Sequence, residues 1–377
     1  MLRLRLRRMC ILMGAAAATL SICPAASFAR PKPPPIEAPP PPPPPAPPAP
    51  VGLPARILSD AAAYEAYMVG VTGMAPTFTD GTQVAAALKA GAAYEPRALV
   101  RGAIAYAAIA ALEDPTFVAQ VRAAGTTPEY RRAMVGYILL NPVYVFQFKN
   151  SDVAAGLAKQ ALGEAGLKLY AAGKTMKQAS YDVQHQDWSK QEVADRPGRL
   201  AAVEQASQNP IPLAENDVPA LQRAASGAAP LTITAAPAEP PYPPLVAHAL
   251  QLAAVAALGE ADDSAYDSLT AVTVDDDTTA CLHMAKLNLH QCIAVAKPHY
   301  EDIFCLGQHA MSDTGSCLVK NVGMQLPAEP PPPPPPLASR RADARTGSRG
   351  PRPSSAPREP APPPIQAGCV KQVTGRW

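Results

Sequence analysis

Proline decides where this chain can fold: there are 47 among 377 residues, and they are bunched rather than spread. Residues 31–50 are almost all proline and alanine, with Pro39 to Pro45 unbroken, and a second unbroken run covers Pro330 to Pro336. Proline has no amide hydrogen and fixes its own φ, so neither run can enter a helix or a sheet, and both are expected as extended polyproline. At about 3.1 Å per residue the first run would reach roughly 60 Å. A packed core must therefore come from the residues between the two runs. Inside that interval, Pro210, Pro212, Pro219, Pro230, Pro237, Pro240, Pro241, Pro243 and Pro244 mark an irregular crossing. The expected organisation is an N-terminal segment (1–29), a proline-rich tether (30–54), a helical domain (55–208), the crossing (209–244), a second helical region (245–326) and a Pro/Arg-rich tail (327–377).

The first 29 residues have the three-part grammar of a bacterial secretory signal. Arg3, Arg5, Arg7 and Arg8 precede an apolar run from Met9 to about Ile22, and Ser27-Phe28-Ala29 supplies a small-residue cleavage site. Cleavage is expected after Ala29, which places the mature protein in the periplasm or outside the cell. The run is about 14 residues long, short of the roughly 20 that a membrane span requires. Acylation at Cys23 is disfavoured by bulky Ile22, and the residues after Arg7-Arg8 match a twin-arginine signal poorly.

Between the proline runs the punctuation is that of helices. Proline follows a turn or capping residue at Glu95-Pro96, Asp114-Pro115, Thr127-Pro128 and Asn141-Pro142, the place in a first helical turn where a missing amide costs nothing. Ser59 is expected to cap a helix over 60–69, and Asp80 with Gln83 has capping-box spacing for a helix through Leu88. Asp114-Pro-Thr-Phe117 and Asn141-Pro-Val-Tyr144 read as two similar helix starts, each inserting a ring. Ala103 to Leu112 fits a buried central helix. Ser151 is expected to cap a longer one with a break near Gly173, and Pro197-Gly198 to interrupt the chain before a short helix over 199–206. One short helix near Ala220 is expected in the crossing, and an alanine-rich core helix over 245–258. Hydrophobic residues make up 48% of the chain but aromatics only 5%, so close-packed helices of small residues are expected rather than a thick core.

Cys281, Cys292, Cys305 and Cys317 fall within 37 residues, and the remaining cysteines are Cys10, Cys23 and Cys369. Eleven positions separate Cys281 from Cys292, within about 20° of three full turns, so both lie on one helix face. Lys297-Pro298-His299 then permits a turn into a second helix carrying Cys305, with Cys317 near or beyond its end at Gly315. If the two helices are antiparallel, Cys292 meets Cys305 and Cys281 meets Cys317; three pairings are formally possible, and the antiparallel arrangement favours this one. The layout resembles twin-cysteine helical hairpins in general. The rival is zinc, because His283, His290, His299 and His309 accompany the cysteines, but the spacings lack the short Cys-x2-Cys knuckles of structural zinc sites. No Cys-x-x-Cys-His for covalent haem occurs.

The densest polar-aromatic cluster runs from Tyr181 to Trp188. On one continuous helix Tyr181, His185 and Trp188 would share a face, giving a shallow binding surface of Tyr181, Asp182, His185 and Trp188, with His185 as a proton carrier. The same spacing is explained by a packing seam with solvated polar tips. Asp262-Asp263 and Asp275 to Asp277 lack the spacing and glycine of a calcium loop, and the second run suits the start of the Cys281 helix. No nucleophile elbow, phosphate-binding glycine loop or zinc-protease motif occurs. A net charge of +2 is too balanced to imply a nucleic-acid partner, and no specific nucleic acid is expected, while the tail carries a local excess of basic residues and is expected to be disordered by composition.

Ala90-Gly-Ala-Ala-Tyr-Glu-Pro96, Tyr181 to Trp188 and His299-Tyr-Glu-Asp-Ile-Phe-Cys305-Leu-Gly-Gln-His309 resemble uncharacterised exported α-helical proteins of alphaproteobacteria. The resemblance implies residence in the cell envelope and no known activity. The expectation is thus an all-α, irregular multi-helix bundle with a C-terminal disulfide-linked hairpin and proline-rich arms. It would serve as an envelope scaffold or binding protein for an envelope protein or glycan, without cofactor or metal. The alternatives are a small periplasmic hydrolase using His185 with Asp182 or Asp187, and a metal-binding envelope protein.

Overall fold

In the computed structural model, residues 51–328 are described, and among them helices carry the fold and no β-strand forms. The segment expected as a signal peptide (1–29), nearly all of the tether and of the tail, and Cys10, Cys23 and Cys369 lie outside the described residues.

The expected start signals place most helices. Asp80 accepts hydrogen bonds from the amides of Thr82 and Gln83 and opens α2 (Gly81–Ala92), which follows α1 (Ala55–Thr72) and runs one turn beyond Leu88. Glu95, Asp114 and Thr127 cap α3 (Pro96–Ala111), α4 (Pro115–Ala124) and α5 (Pro128–Leu140), each with proline in the first turn. Asn141 opens the single turn α6 (Pro142–Val145) without a side-chain cap. Then come α7 (Ser151–Val183), α8 (Asp187–Lys190), α9 (Arg196–Ala206), α10 (Asp217–Ala225) in the crossing, and α11 (Pro244–Leu258). A 3-10 turn capped by Asp262 leads into α12 (Tyr266–Thr270), and Asp275 caps α13 (Asp276–Val295) through the Thr278 amide.

Four local expectations are corrected. Ser59 caps nothing, because α1 begins at Ala55 behind Pro54 and passes through it. Ser151 is the first residue of α7 rather than its cap: Asn150 precedes it at φ 65°, and the Ser151 hydroxyl donates to the Phe146 carbonyl at 2.8 Å. Pro197-Gly198 does not interrupt the chain but lies in the first turn of α9, where Asp195 accepts from the Gly198 amide at 2.8 Å. Gly173 does not break α7, which is continuous over 33 residues.

The two helical regions share one hydrophobic core. Its centre is α3, buried from Ala103 to Ala111 except at half-buried Tyr106 and packed against α1, α7 and α11; α11 is buried from Leu245 to Val255 except at half-buried His248, and Gln251 within it donates its amide to the Ile138 carbonyl at 2.6 Å. Alanine permits this because it presents little more than backbone, so helices approach closely and lose little side-chain entropy.

The cysteine hairpin forms with the expected pairing: Cys281–Cys317 and Cys292–Cys305, each with Cα atoms 5.7 Å apart. Its second arm is longer than expected. It runs through α14 (His299–Cys305), a π-helical stretch over Leu306–Asp313 and α15 (Thr314–Asn321), so Cys317 sits inside it and Gly315 does not end it. The π stretch explains the register. On the first arm the cysteines are eleven positions apart, three turns; on the second they are twelve apart, which in a regular α-helix would displace Cys317 by about 120°. Widening a turn from i→i+4 to i→i+5 bonding absorbs about one residue and returns both cysteines to one face. With all four thiols in disulfides, they are not zinc ligands.

Glycines seat this arm on α7. A methyl group at Gly173 would lie 2.5 Å from the Ser312 amide nitrogen and 2.6 Å from the Gly307 carbonyl oxygen, and one at Gly315 2.6 Å from the Gly166 carbonyl oxygen. Both contacts are with backbone, which cannot rotate away.

Buried charges fix the rest of the hairpin. Arg199 of α9 donates to the Asp302 carboxylate at 2.6 Å and to the carbonyls of Ile293 and Ala296, and Arg196 donates to those of Ala294 and Ala296 at 2.7 and 3.0 Å. The two guanidiniums thereby satisfy the last carbonyls of α13, where a helix has no partners of its own and its dipole favours cations. Burial pushes the Asp302 carboxyl up to about 6, with Arg199 pulling the other way. Lys286 does the same for α2, donating to the carbonyls of Ala92 (2.8 Å) and Tyr94 and lying 3.9 Å over the Tyr94 ring; burial lowers its amine to about 7.

Helix propensity alone says that Gly173→Ala should stabilise α7 by about 1 kcal/mol. The packing reverses the sign: the variant is expected to be destabilised by about 1–3 kcal/mol in urea unfolding, the range for overpacking. Stabilisation would show that α7 and the π stretch do not meet at this glycine.

Candidate functional site

The sequence-selected cluster is split by the end of α7. Tyr181 and Asp182 belong to its last turn, His185 is in the turn that follows, and Trp188 is in α8, so the continuous face expected for Tyr181, His185 and Trp188 does not form. Asp182 accepts from Gln178 at 2.9 Å, Asp187 pairs with Lys190 at 3.8 Å, and exposed His185 makes no hydrogen bond or ion pair among the described residues. The carboxylate partner required by the hydrolase alternative is therefore absent at His185. Trp188 stands 6.5 Å from the His299 ring. Tyr181 instead joins Tyr300, Phe304 and Val295 around an apolar groove beside the Cys292–Cys305 disulfide. His309 meets Asp313 at 2.8 Å on the π stretch. No group of three or more His, Cys, Asp or Glu side chains among the described residues is placed to hold a metal ion.

The better-built site lies between α1, α3 and α7. It is a cleft of about 440 Å³, walled by Tyr64, Glu65 and Met68 of α1, Tyr106 of α3, Ala161 and Lys168 of α7, and the strap 231–234 from the crossing. That size suits a small organic molecule. Each wall has a local cause. Tyr64 reaches the cleft because Gly102 lets α3 approach α1 closely at this level, and the Tyr64 and Tyr106 rings stand 5.6 Å apart. The strap is held at both ends: Glu113 accepts from the amides of Leu231 and Ile233, and the Ala238 amide donates to the Asp152 carbonyl at 2.9 Å. Gly156 lets the strap's continuation at Ala236 lie directly on α7.

Two features mark this cleft; the first, a buried polar atom without a partner, recurs elsewhere in the body, for example at His248 and Ser312. Tyr64 is 1% exposed, and its hydroxyl has no hydrogen-bond partner in the protein. A buried hydroxyl without a partner costs about 1–3 kcal/mol, and the great majority of buried polar groups are satisfied. The second feature is Thr232, whose φ of 59° is a left-handed conformation that a β-branched residue adopts at a cost of about 1–2 kcal/mol. Such strain is characteristic of ligand clamps.

Burial disfavours charge at the Tyr64–Tyr106 end of the cleft, while Glu164 and Lys168 pair at 4.0 Å on its α7 wall. Burial raises the Tyr64 phenol well above its usual range, pushes Tyr106 up to about 12 with Glu65 and Glu113 adding to the effect, and raises the carboxyls of Glu65 and Glu113. At neutral pH both phenols are protonated donors. The arrangement offers the half-buried Tyr106 ring, apolar side chains at Ala165, Leu231 and Ile233, and the buried, unpartnered Tyr64 hydroxyl, which is binding chemistry for a small, partly apolar molecule with a hydrogen-bond acceptor.

Sequence reasoning missed this cleft. Tyr64 was legible only as a helix residue, and the strap only as proline-bounded irregular chain. Comparison with protein-family models, with curated proteins and with solved structures finds no match for this chain.

If Glu113 holds the strap, Glu113→Ala should accelerate amide exchange at Leu231 and Ile233 by about tenfold, corresponding to about 1.4 kcal/mol for a charge-assisted hydrogen bond. The Ala238 amide, bonded to the Asp152 carbonyl, should be unchanged. Equal exchange at Leu231 and Ile233 in both proteins would show that the strap is held by other contacts.

Proposed function

We propose that this chain is an exported binding protein of the cell envelope. In this reading the signal-like segment ending at Ala29 directs export, the proline tether gives reach, and the disulfide-braced body carries a ligand in the Tyr64–Tyr106 cleft. The observation that carries the ligand assignment is the fully buried Tyr64 hydroxyl without a protein partner. Support for the location comes from the two disulfides, which persist in oxidising compartments, and from the fact that no helix among the described residues is long and apolar enough to cross a membrane. The resemblance to exported helical proteins of alphaproteobacteria points the same way. The ligand class is a neutral, partly apolar molecule with one carbonyl or ether acceptor, because burial at the Tyr64–Tyr106 end disfavours ionised groups and the Tyr64 hydroxyl lacks an acceptor.

The neutral ketone prodan has this chemistry, and its emission reports the polarity around it. The wild-type protein should bind it saturably with a blue shift. Tyr64→Phe removes only the hydroxyl and no protein hydrogen bond, so the fold should persist while affinity falls by about 5–15-fold, equivalent to about 1–1.5 kcal/mol. Absence of saturable binding, or equal affinity in Tyr64→Phe, would remove the cleft from the account.

A further inference from the structure

The face of α5 and α6 exposes rings that a helical body would ordinarily bury. Tyr130 and Tyr137 are about half exposed, Leu140 and Val143 more so, while the buried side of α5 is anchored by Met134 and Ile138. The rings are ordered among themselves: Tyr137 packs edge-on against Tyr144 at 4.9 Å, Tyr144 against Phe148 at 5.6 Å, and the Tyr130 hydroxyl interacts with that of Tyr144. Tyr130, Tyr137 and Tyr144 recur every seven residues. The result is an aromatic ladder open to solvent.

Three observations indicate what covers it. The first is place. Arg131, next to Tyr130, pairs with Glu260 at 3.1 Å, and three residues further along Asp263 accepts from the Ala55 amide at 3.1 Å. The loop over 260–263 thus holds both the start of α1 and the Tyr130 end of α5. The second is length. Pro39 to Pro45 lies six to twelve residues before Val51, and twelve residues at about 3.1 Å each reach about 37 Å. The third is chemistry. Residues 38–50 are only proline and alanine, and polyproline binds aromatic-lined surfaces because its rings stack on them with little ordering entropy left to lose.

We propose that the tyrosine ladder of α5 and α6 is the docking surface for this chain's own proline run, Pro39 to Pro45. Docking holds the tether against the body and shortens its reach, and release extends it. The contact is intramolecular, so a weak site suffices: a short linker gives an effective concentration of about 1 mM, and a site of about 0.1 mM affinity is then about nine-tenths occupied. With no charge on residues 38–50, docking is insensitive to salt.

Tyrosine nitration of the full chain, mapped by peptide mass spectrometry, tests this. The comparison chain carries Pro39→Ser through Pro45→Ser; these positions precede the described body, so its fold is untouched. Tyr130 and Tyr137 should nitrate about tenfold faster in the serine chain than in the wild type, at low and high salt alike, while Tyr181, also exposed, keeps its rate. Equal rates in the two chains overturn the proposal. So does slow nitration in both that is relieved by dilution, which identifies a second copy as the occupant. Fast nitration in both that slows only with anionic phosphatidylglycerol vesicles also overturns it and identifies a lipid surface.

Discussion

The two disulfides can close together only because the second arm of the hairpin absorbs one residue in its π stretch. That adjustment has to be held in place, because i→i+5 bonding is not what the sequence would adopt alone. Gly173 and Gly166 on α7 hold it. They allow the backbone of Gly307, Ser312 and Gly315 to lie directly against α7, so the π stretch is clamped between disulfides on one side and a backbone contact on the other. Since α7 also packs on α3, the crosslinked hairpin is tied to the core rather than hung from its edge.

The candidate cleft depends on the same long helix. One end of α7 receives the strap at Gly156, the middle lines the cleft with Ala161 and Lys168, and the far half seats the hairpin. A helix of 33 residues spans about 50 Å, long enough to serve all three contacts without bending. The cysteine hairpin thereby stiffens the helix on which the cleft is built, while the strap is held by the Glu113 carboxylate and by half-buried Leu231 and Ile233 against Leu157 and Ala161, with a strained Thr232 between them.

Much of the fold was legible because proline and cysteine act locally. A proline in a first turn reads correctly from neighbouring residues, as at Pro96, Pro115 and Pro128, and the cysteine pairing follows from helix angle and an antiparallel turn. What failed needed a partner distant in sequence. Gly173 reads as a helix break unless Gly307 and Ser312 are known to lie against it, and Gly315 reads as a helix end for the same reason. Ser151 looked like a cap because a left-handed Asn150 is not visible in sequence. The Tyr181 to Trp188 surface assumed that α7 continued past Val183. The Tyr64 cleft was illegible because its fourth wall arrives from residues 231–234, more than 160 positions away and without periodicity.

Peptide mapping of the purified protein without reduction, by mass spectrometry, tests the crosslinked register most directly. The account predicts linked peptides joining Cys281 to Cys317 and Cys292 to Cys305. Free thiols, or links from Cys281 to Cys292 and from Cys305 to Cys317, would contradict it, because neither state requires the π stretch to bring the two arms into register.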